Sequence, residues 1–375
     1  MQQIHRRRRF LVAGLCALVS VSCSGGAGDR REIGIAVALN PQRPGMQTIY
    51  NGVELAVAQL NASAAGQLEG RTFVMIKGAA DVSDPVRVAS GFREDPRVVG
   101  VVGHPESGTT LAAIDEYADT KNEGKNAVVA ITPTGSSTAL TNASRWLFRV
   151  CPSDAQSSRA VASFLLDSLE ARRAAVIYRN DSYGKDWLKS FAAAYRLGKG
   201  QVVQRDPYMV GMTQWDAYAG YLKLLKPDVL LFPGNHDDAL LLLRAMRTAG
   251  VDIPLIGGDA ASGMEDHAAE FPAVRYTAFF LARRATSPEA LAFVAAYRAK
   301  FNSEPDQRAA LGYDAAMLIG RGVIETKSVK RGDVRDYVES IGNGREPMLG
   351  AAGPIAFDKF HDAINKPVVI ARVGK

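Results

Sequence analysis

The sequence predicts an α/β protein built from two similar halves, each a parallel sheet covered by helices on both faces. Three observations carry this expectation. Runs such as "IGIAVAL" and "VVGVVGH" are continuously apolar, as strands buried on both faces must be. Such runs are followed by segments whose apolar residues recur at helical spacing. The alternation also begins twice, the second time after "PSDAQ" at residues 152–156, and repeated strand-then-helix order marks parallel strands joined by crossover helices.

In the first half, "IGIAVAL" (33–39) reads as a strand and "NGVELAVAQLNA" (51–62) as a helix with Val53, Ala56, Val57 and Leu60 on one face. Strands "TFVMIKG", "VVGVVGH", "AVVAITP" and "LFRV" accompany helices "DPVRVASGFRE" and "TTLAAIDEYADT". The second half opens with helix "SRAVASFLLDSLEA" and strand "AAVIYRN", then alternates "GKDWLKSFAAAYRLG", "QVVQRD", "WDAYAGYLKLL", "DVLLFPG", "DALLLLRAMRTAG" and "PLIGG". After strand "YTAFFLA", three helices in succession break the alternation: "SPEALAFVAAYRAKFN", "RAALGYDAAMLIGRGVIET" and "DVRDYVESI". They are expected to return and cover the first half, while "GPIAFD" and "PVVIARV" close the chain as strands with a turn between them.

Residues 1–22 stand apart from this fold. Arg6 to Arg9 form a basic stretch before the 12-residue apolar core "FLVAGLCALVSV", the pattern of a secretory signal peptide. The core is shorter than the roughly 18 residues a membrane-spanning helix needs, so export is the expected outcome. The junction "VSVSC" resembles a bacterial lipobox, which makes Cys23 the expected lipidated residue, with residues 23–31 as a flexible tether. Removing the leader takes away four Arg and no acid, which lowers the formal charge from +6 to +2. The mature chain also has no basic cluster dense enough to follow a phosphate backbone, which argues against nucleic acid. With Cys16 discarded and Cys23 acylated, Cys151 stands alone, and the core rather than a disulfide must supply stability.

Candidate ligand groups lie where strands hand over to helices, because ligands of α/β sheets bind outside the carboxyl ends of the strands. Ser107 follows "VVGVVGH" and precedes "TTLAAIDEYA", a position from which it can cap the helix and present its hydroxyl and the following N–H groups to a carboxylate. Thr134, Gly135, Ser136 and Ser137 end the next strand, so two hydroxyl-rich turns are expected side by side as an anion nest. The strand ends of the second half carry different chemistry: Asn180, Asp181, Ser182 and Tyr183, then Asn235 and His236, then Asp259. Asp259 suits an ammonium group, and Tyr183 can pack over a bound side chain.

Over the mature chain these segments resemble the type I periplasmic solute-binding proteins of ABC importers, within the leucine/isoleucine/valine-binding family. The segments that match are "IGIAVAL", "NGVELAVAQLNA", "VVGVVGHPESGTTLAA", "ITPTGSSTALT", "FRVCPSDAQ", "NDSYGKD", "AMRTAGVDIPLIGGDA", "GYDAAMLIG" and "GPIAFD". The resemblance implies two Rossmann-like lobes with parallel central sheets, joined by a three-strand hinge. It places residues 32–152 and 284–356 in the N-terminal lobe and 153–283 and 357–375 in the C-terminal lobe, with crossovers near Pro152, Arg283 and Phe357. It implies that Ser107, Ser136 and the Thr134 backbone hold the carboxylate of an amino acid or a related solute, with Asp259 on its ammonium and Tyr183 beside it. It also implies export to the periplasm or cell exterior, an ABC permease as partner and no cofactor. Three departures mark this chain: "NPQRPGM" has no aromatic residue, Asp259 is shorter than the Glu of branched-chain binders, and Arg308 falls near their aromatic wall.

An enzyme is disfavoured. Ser107 in "PESGT" lacks the glycines of a nucleophile elbow, although His104 precedes it. His104, His236, His267 and His361 are scattered rather than set at zinc-ligand spacing, and "GHPESG" lacks the Lys of a phosphate loop. The alternative to import is a sensor of the same architecture that reports ligand occupancy to a signalling partner.

Overall fold

The computed structural model describes residues 31–40, 42–43, 45–78 and 84–374. The signal segment, Cys23 and nearly all of the tether lie outside the described residues. The first half contains β1 (Glu32–Ala38), α1 (Met46–Ser63), β2 (Thr72–Lys77), α2 (Pro85–Glu94), β3 (Val98–Gly103), α3 (Ser107–Tyr117), β4 (Val129–Thr132) and β5 (Leu147–Arg149). The second contains α4 (Asp154–Ser163), β6 (Arg173–Arg179), α5 (Ser182–Leu197), β7 (Gln201–Tyr208), α6 (Asp216–Leu225), β8 (Val229–Phe232), α7 (His236–Thr248), β9 (Leu255–Gly257) and β10 (Arg275–Ala278). Then follow α8 (Pro288–Phe301), α9 (Gln307–Thr326), α10 (Arg331–Ser340), the short hairpin β11 (Met348–Gly350) and β12 (Gly353–Ile355), and β13 (Val369–Arg372).

The two sheets repeat one plan. The first runs β2-β1-β3-β4-β5 and the second β7-β6-β8-β9-β10, with β13 added antiparallel to β10. In both, the direction of winding reverses beside the first strand, which opens a crevice at the carboxyl ends of the strands. β3 is buried along its whole length, as a central strand between two helical layers must be.

α8, α9 and α10 pack on the first sheet: Phe293, Ile319, Val323 and Val338 share a core with Ile33, Val37 and Ile131. α1 and α9 approach through glycines, since a Cβ on Gly52 would lie 2.1 Å from the Ala309 carbonyl oxygen and one on Gly312 2.8 Å from that of Ile49. This close seating fixes the start of α9 against the turn that follows β1.

Three details depart from the sequence reading. "YTAFFLA" is not one strand: β10 ends at Ala278, and Phe279 and Phe280 enter the first core. Phe357 also lies in that core, 5.1 Å edge-on to Phe148. The helix expected from Ser158 begins earlier, at Asp154, because Ser153 caps it in a capping box with Gln156. Cys151 is fully buried, its thiol donating to the Gly135 carbonyl at 3.5 Å, and burial pushes its pKa up.

Candidate functional site

The turns after β1, β3 and β4 face those after β6, β8 and β9 across a cleft of about 250 Å³. Ser107, Thr134, Tyr183 and Asp259 all line it. Four of the five residues expected to bind ligand are therefore brought to one cavity; Ser136 is not on its wall.

The first wall is built from backbone donors and hydroxyls. Ser107 is the first residue of α3 rather than its cap: Glu106 holds the capping position, makes no side-chain cap bond, and is paired to Arg43 at 3.0 and 3.1 Å. The Ser107 hydroxyl instead accepts the Ser137 N–H at 3.1 Å, tying the two hydroxyl-rich turns together. Thr134 Oγ1 donates to the Pro105 carbonyl at 2.6 Å, and Thr132 Oγ1 donates to that of His104 at 2.6 Å. The first-turn N–H groups of α3 have no partner within the helix and lie at its positive end, so this wall suits a carboxylate. His104 takes no part as a base for Ser107. It is buried 2.9 Å from the Tyr117 hydroxyl, and desolvation pulls its pKa down to about 4.

Ser136 lies behind this wall, fully buried. Its carbonyl accepts from Arg149 Nη1 at 3.0 Å and from the Asp154 N–H at 2.7 Å, where α4 begins the second half. Its hydroxyl faces the Asp154 carboxyl, and neither group makes a hydrogen bond of good geometry among the described residues. Burial, reinforced by the neighbouring Asp259, holds the Asp154 carboxyl well above the usual carboxylate range. The "TGSS" pattern named the right turn but not which of its hydroxyls faces the cleft. That depends on how the 3₁₀ turn Thr138–Leu140 closes the segment.

The second wall is acidic and aromatic. Asp181 caps α5 by accepting the Gly184 N–H at 3.0 Å, which sets Tyr183 in the first turn facing β9. The Tyr183 hydroxyl donates to Asp259 Oδ1 at 3.0 Å, so it is a partner of the acid rather than only a packing surface. Asp259 is 6% exposed. Burial raises its pKa, and the Tyr183 hydrogen bond opposes the rise. The charge of Arg308 also opposes it, and a buried carboxylate without a close cation of its own is a place where an ammonium group gains.

Of the other residues at the site, Gln307 and Asp186 had no clear signal in the sequence, and Arg308 was marked only through the resemblance. Gln307, at the start of α9, donates to the Asp259 carbonyl at 2.9 Å and accepts the Phe279 N–H at 2.8 Å, bridging the point where the chain crosses between halves. Asp186 of α5 reaches across to the first half and accepts both the N–H and the hydroxyl of Thr138, each at 2.6 Å. Arg308 also lines the cleft, and its side chain is only 12% exposed although Arg is mostly exposed in folded proteins. A polar residue at the head of an apolar helix is a weak hint; its target is visible only in three dimensions.

Among the described residues there is no cluster of three metal-ligating side chains and no helix long and apolar enough to cross a membrane. Two α/β lobes of the same plan, closing on a solute-sized cleft of opposed polarity, define a bilobal binding protein. The comparisons agree: the periplasmic binding protein family model matches residues 41–375, and the chain belongs to that family. It is 27% identical to Leu/Ile/Val-binding protein homolog 3 of Brucella melitensis biotype 1, an alignment covering 84% of this chain and 83% of that protein. It is 28% identical, over the same shares, to Leu/Ile/Val-binding protein BraC3 of Rhizobium johnstonii. Its fold is similar to that of the branched-chain amino acid transporter substrate binding protein LivJ from Streptococcus pneumoniae in complex with isoleucine. There the TM-score is 0.79 at 25% identity, covering 92% of this chain and 97% of that one. Proteins of this family are exported substrate-binding components of ABC transporters, not enzymes.

Proposed function

We propose that the protein is an extracytoplasmic solute-binding lipoprotein of an ABC importer, anchored through Cys23, that captures an amino acid or a closely related carboxylate between two closing lobes. The observation that carries this reading is the opposition of the two walls. The α3 N-terminus with Ser107 and Thr134 offers donors to a carboxylate, and Asp259 with Tyr183 offers a buried acid to an ammonium. A zwitterion satisfies both only when the lobes are together. Ser136 then acts indirectly, by holding the Thr134 turn through its carbonyl.

In this reading the lobes divide near Pro152, ahead of Phe279, and beyond Phe357 before β13. Closure is favoured by the ligand because its contacts with Asp259 and Tyr183 exist only in the closed state, and this differential affinity is what a membrane permease would sense. A thermal-shift screen of amino acids, amides and aromatic acids tests the reading. A ligand that binds only the folded protein raises Tm by mass action; a screen in which simple acids stabilise and no amino acid does would overturn it. Metabolic labelling with a fatty-acid analogue tests the anchor: wild type should be labelled and Cys23→Ala should not.

A further inference from the structure

The cleft holds more charged side chains than a zwitterion needs, with Glu106 and Asp237 beside Asp259 and several basic groups among them. Three Arg and His236 line it, and most are already matched. Arg43 is held by Glu106 through two hydrogen bonds. Arg179 lies 2.5 Å from Asp181 Oδ2 and stacks over the Tyr183 ring, 5.3 Å from its centroid. His236 lies 3.2 Å from Asp237.

Arg308 is different. Its ion pair with Asp306 Oδ2 is long, at 3.7 Å. That carboxylate is spent elsewhere, since Oδ2 accepts from Thr48 Oγ1 at 3.0 Å and Oδ1 caps α9 by accepting the Ala309 N–H at 2.8 Å. The guanidinium otherwise makes two hydrogen bonds of 3.4 Å to the Ser262 carbonyl and lies within electrostatic reach of Asp259. It is also placed in the first turn of a 20-residue helix, where the positive end of the macrodipole disfavours a cation. Gly45, at φ 74° in the turn after β1, leaves room for it: a Cβ there would lie 3.1 Å from the guanidinium carbon. A guanidinium 88% withdrawn from water, with no carboxylate in close contact, is placed to gain from a bound anion.

We propose that Arg308 is the specificity residue of this cleft, and that the preferred solute is an amino acid with a second carboxylate at the end of its side chain. This rests on the amino-acid reading above and narrows it. An aliphatic side chain placed here would strip water from the guanidinium and return no hydrogen bond, whereas a carboxylate meets its planar fork and forms charge-assisted bonds.

The experiment is calorimetry of the purified protein with glutamate, glutamine, leucine and glutarate. Wild type should bind glutamate more tightly than glutamine, and glutamine more tightly than leucine. Arg308→Met should weaken glutamate by roughly ten- to hundredfold, the range for one lost hydrogen bond to a charged group, with much less change for glutamine. Arg308→Lys, which keeps the charge without the fork, should retain part of the preference. Leucine binding more tightly than glutamate in wild type would overturn the proposal and leave the amino-acid reading standing; so would an unchanged glutamate-to-glutamine ratio in Arg308→Met. Glutarate binding as tightly as glutamate would do the reverse, removing the ammonium site and keeping Arg308. Binding of none of the four would remove both. The wild-type rank order decides the question even if Arg308→Met does not fold.

Discussion

The two walls of the cleft are made by the same device and carry opposite chemistry. α3 after β3 and α5 after β6 each begin at the carboxyl end of a central strand, in sheets of the same strand order. On the first wall, the unpaired N–H groups of α3 are left to the cleft, because Glu106 turns away to Arg43. On the second, Asp181 caps α5 by taking the Gly184 N–H and Tyr183 turns its hydroxyl to Asp259, so a buried acid lines the cleft. The fold therefore sets where a ligand can lie, and a few turn residues set which end of it goes where.

The comparison breaks most directly at Asp259. Asp259→Asn keeps the shape and removes the charge, so an amino acid should lose on the order of 2 to 5 kcal/mol of binding, as when one partner of a buried ion pair is removed. Its deaminated analogue should lose far less, and calorimetry with both compounds separates the cases. If both bind as they do to wild type, the second wall is not an ammonium site.

Ser107→Ala tests the first wall. Losing the hydroxyl that ties the two turns should weaken a carboxylate ligand by roughly 1 to 3 kcal/mol, with no large change in Tm. Unchanged affinity would mean that the helix N–H groups alone make the anion site. Asp186→Ala tests the contact between the walls. Asp186 is half-buried and water competes for Thr138, so the expected effect is smaller, about 1 kcal/mol of affinity, together with a more open average shape in solution scattering. A variant that scatters and binds like wild type would show that the clasp does not favour closure.

The smallest effect sharpens the comparison through pH. Asp259 has a folded-state pKa raised above 3.8 by burial, so the ligand-free folded protein holds its proton more tightly than the unfolded chain does. Its contribution to ligand-free stability is therefore greatest at low pH and falls as pH rises from 3.8 through the raised value. An ammonium ligand has the opposite preference, because it favours the carboxylate. Affinity for an amino acid should rise with pH across this window, and calorimetry in buffers of different ionisation enthalpy should detect proton release on binding. A pH-independent affinity with no proton release would place the ammonium away from Asp259.

Much of this was legible beforehand for simple reasons. Continuous apolar runs must be buried on both sides, which gave parallel sheets. Turn residues at strand ends face the ligand crevice, which gave Ser107, Thr134, Tyr183 and Asp259 as cleft residues. What failed is equally specific. Ser107 read as a cap because Ser is good at capping anywhere, but the chain placed Glu106 there. Ser136 read as a cleft residue because its turn is, yet a turn of four small polar residues does not declare which hydroxyl points outward.

The sequence by itself determined the class of fold, the doubling of one sheet plan, and the polarity of each strand end, because burial and helix termini act locally and leave periodic signals. Only the tertiary structure decided which residues become partners across distance. Gln307, Arg308 and Asp186 act on Asp259, the cleft and Thr138, positions 46 to 48 or more residues away in the chain. Such meetings depend on the angle at which α9 seats on α1 and on how the two halves close, and no local pattern of residues encodes either.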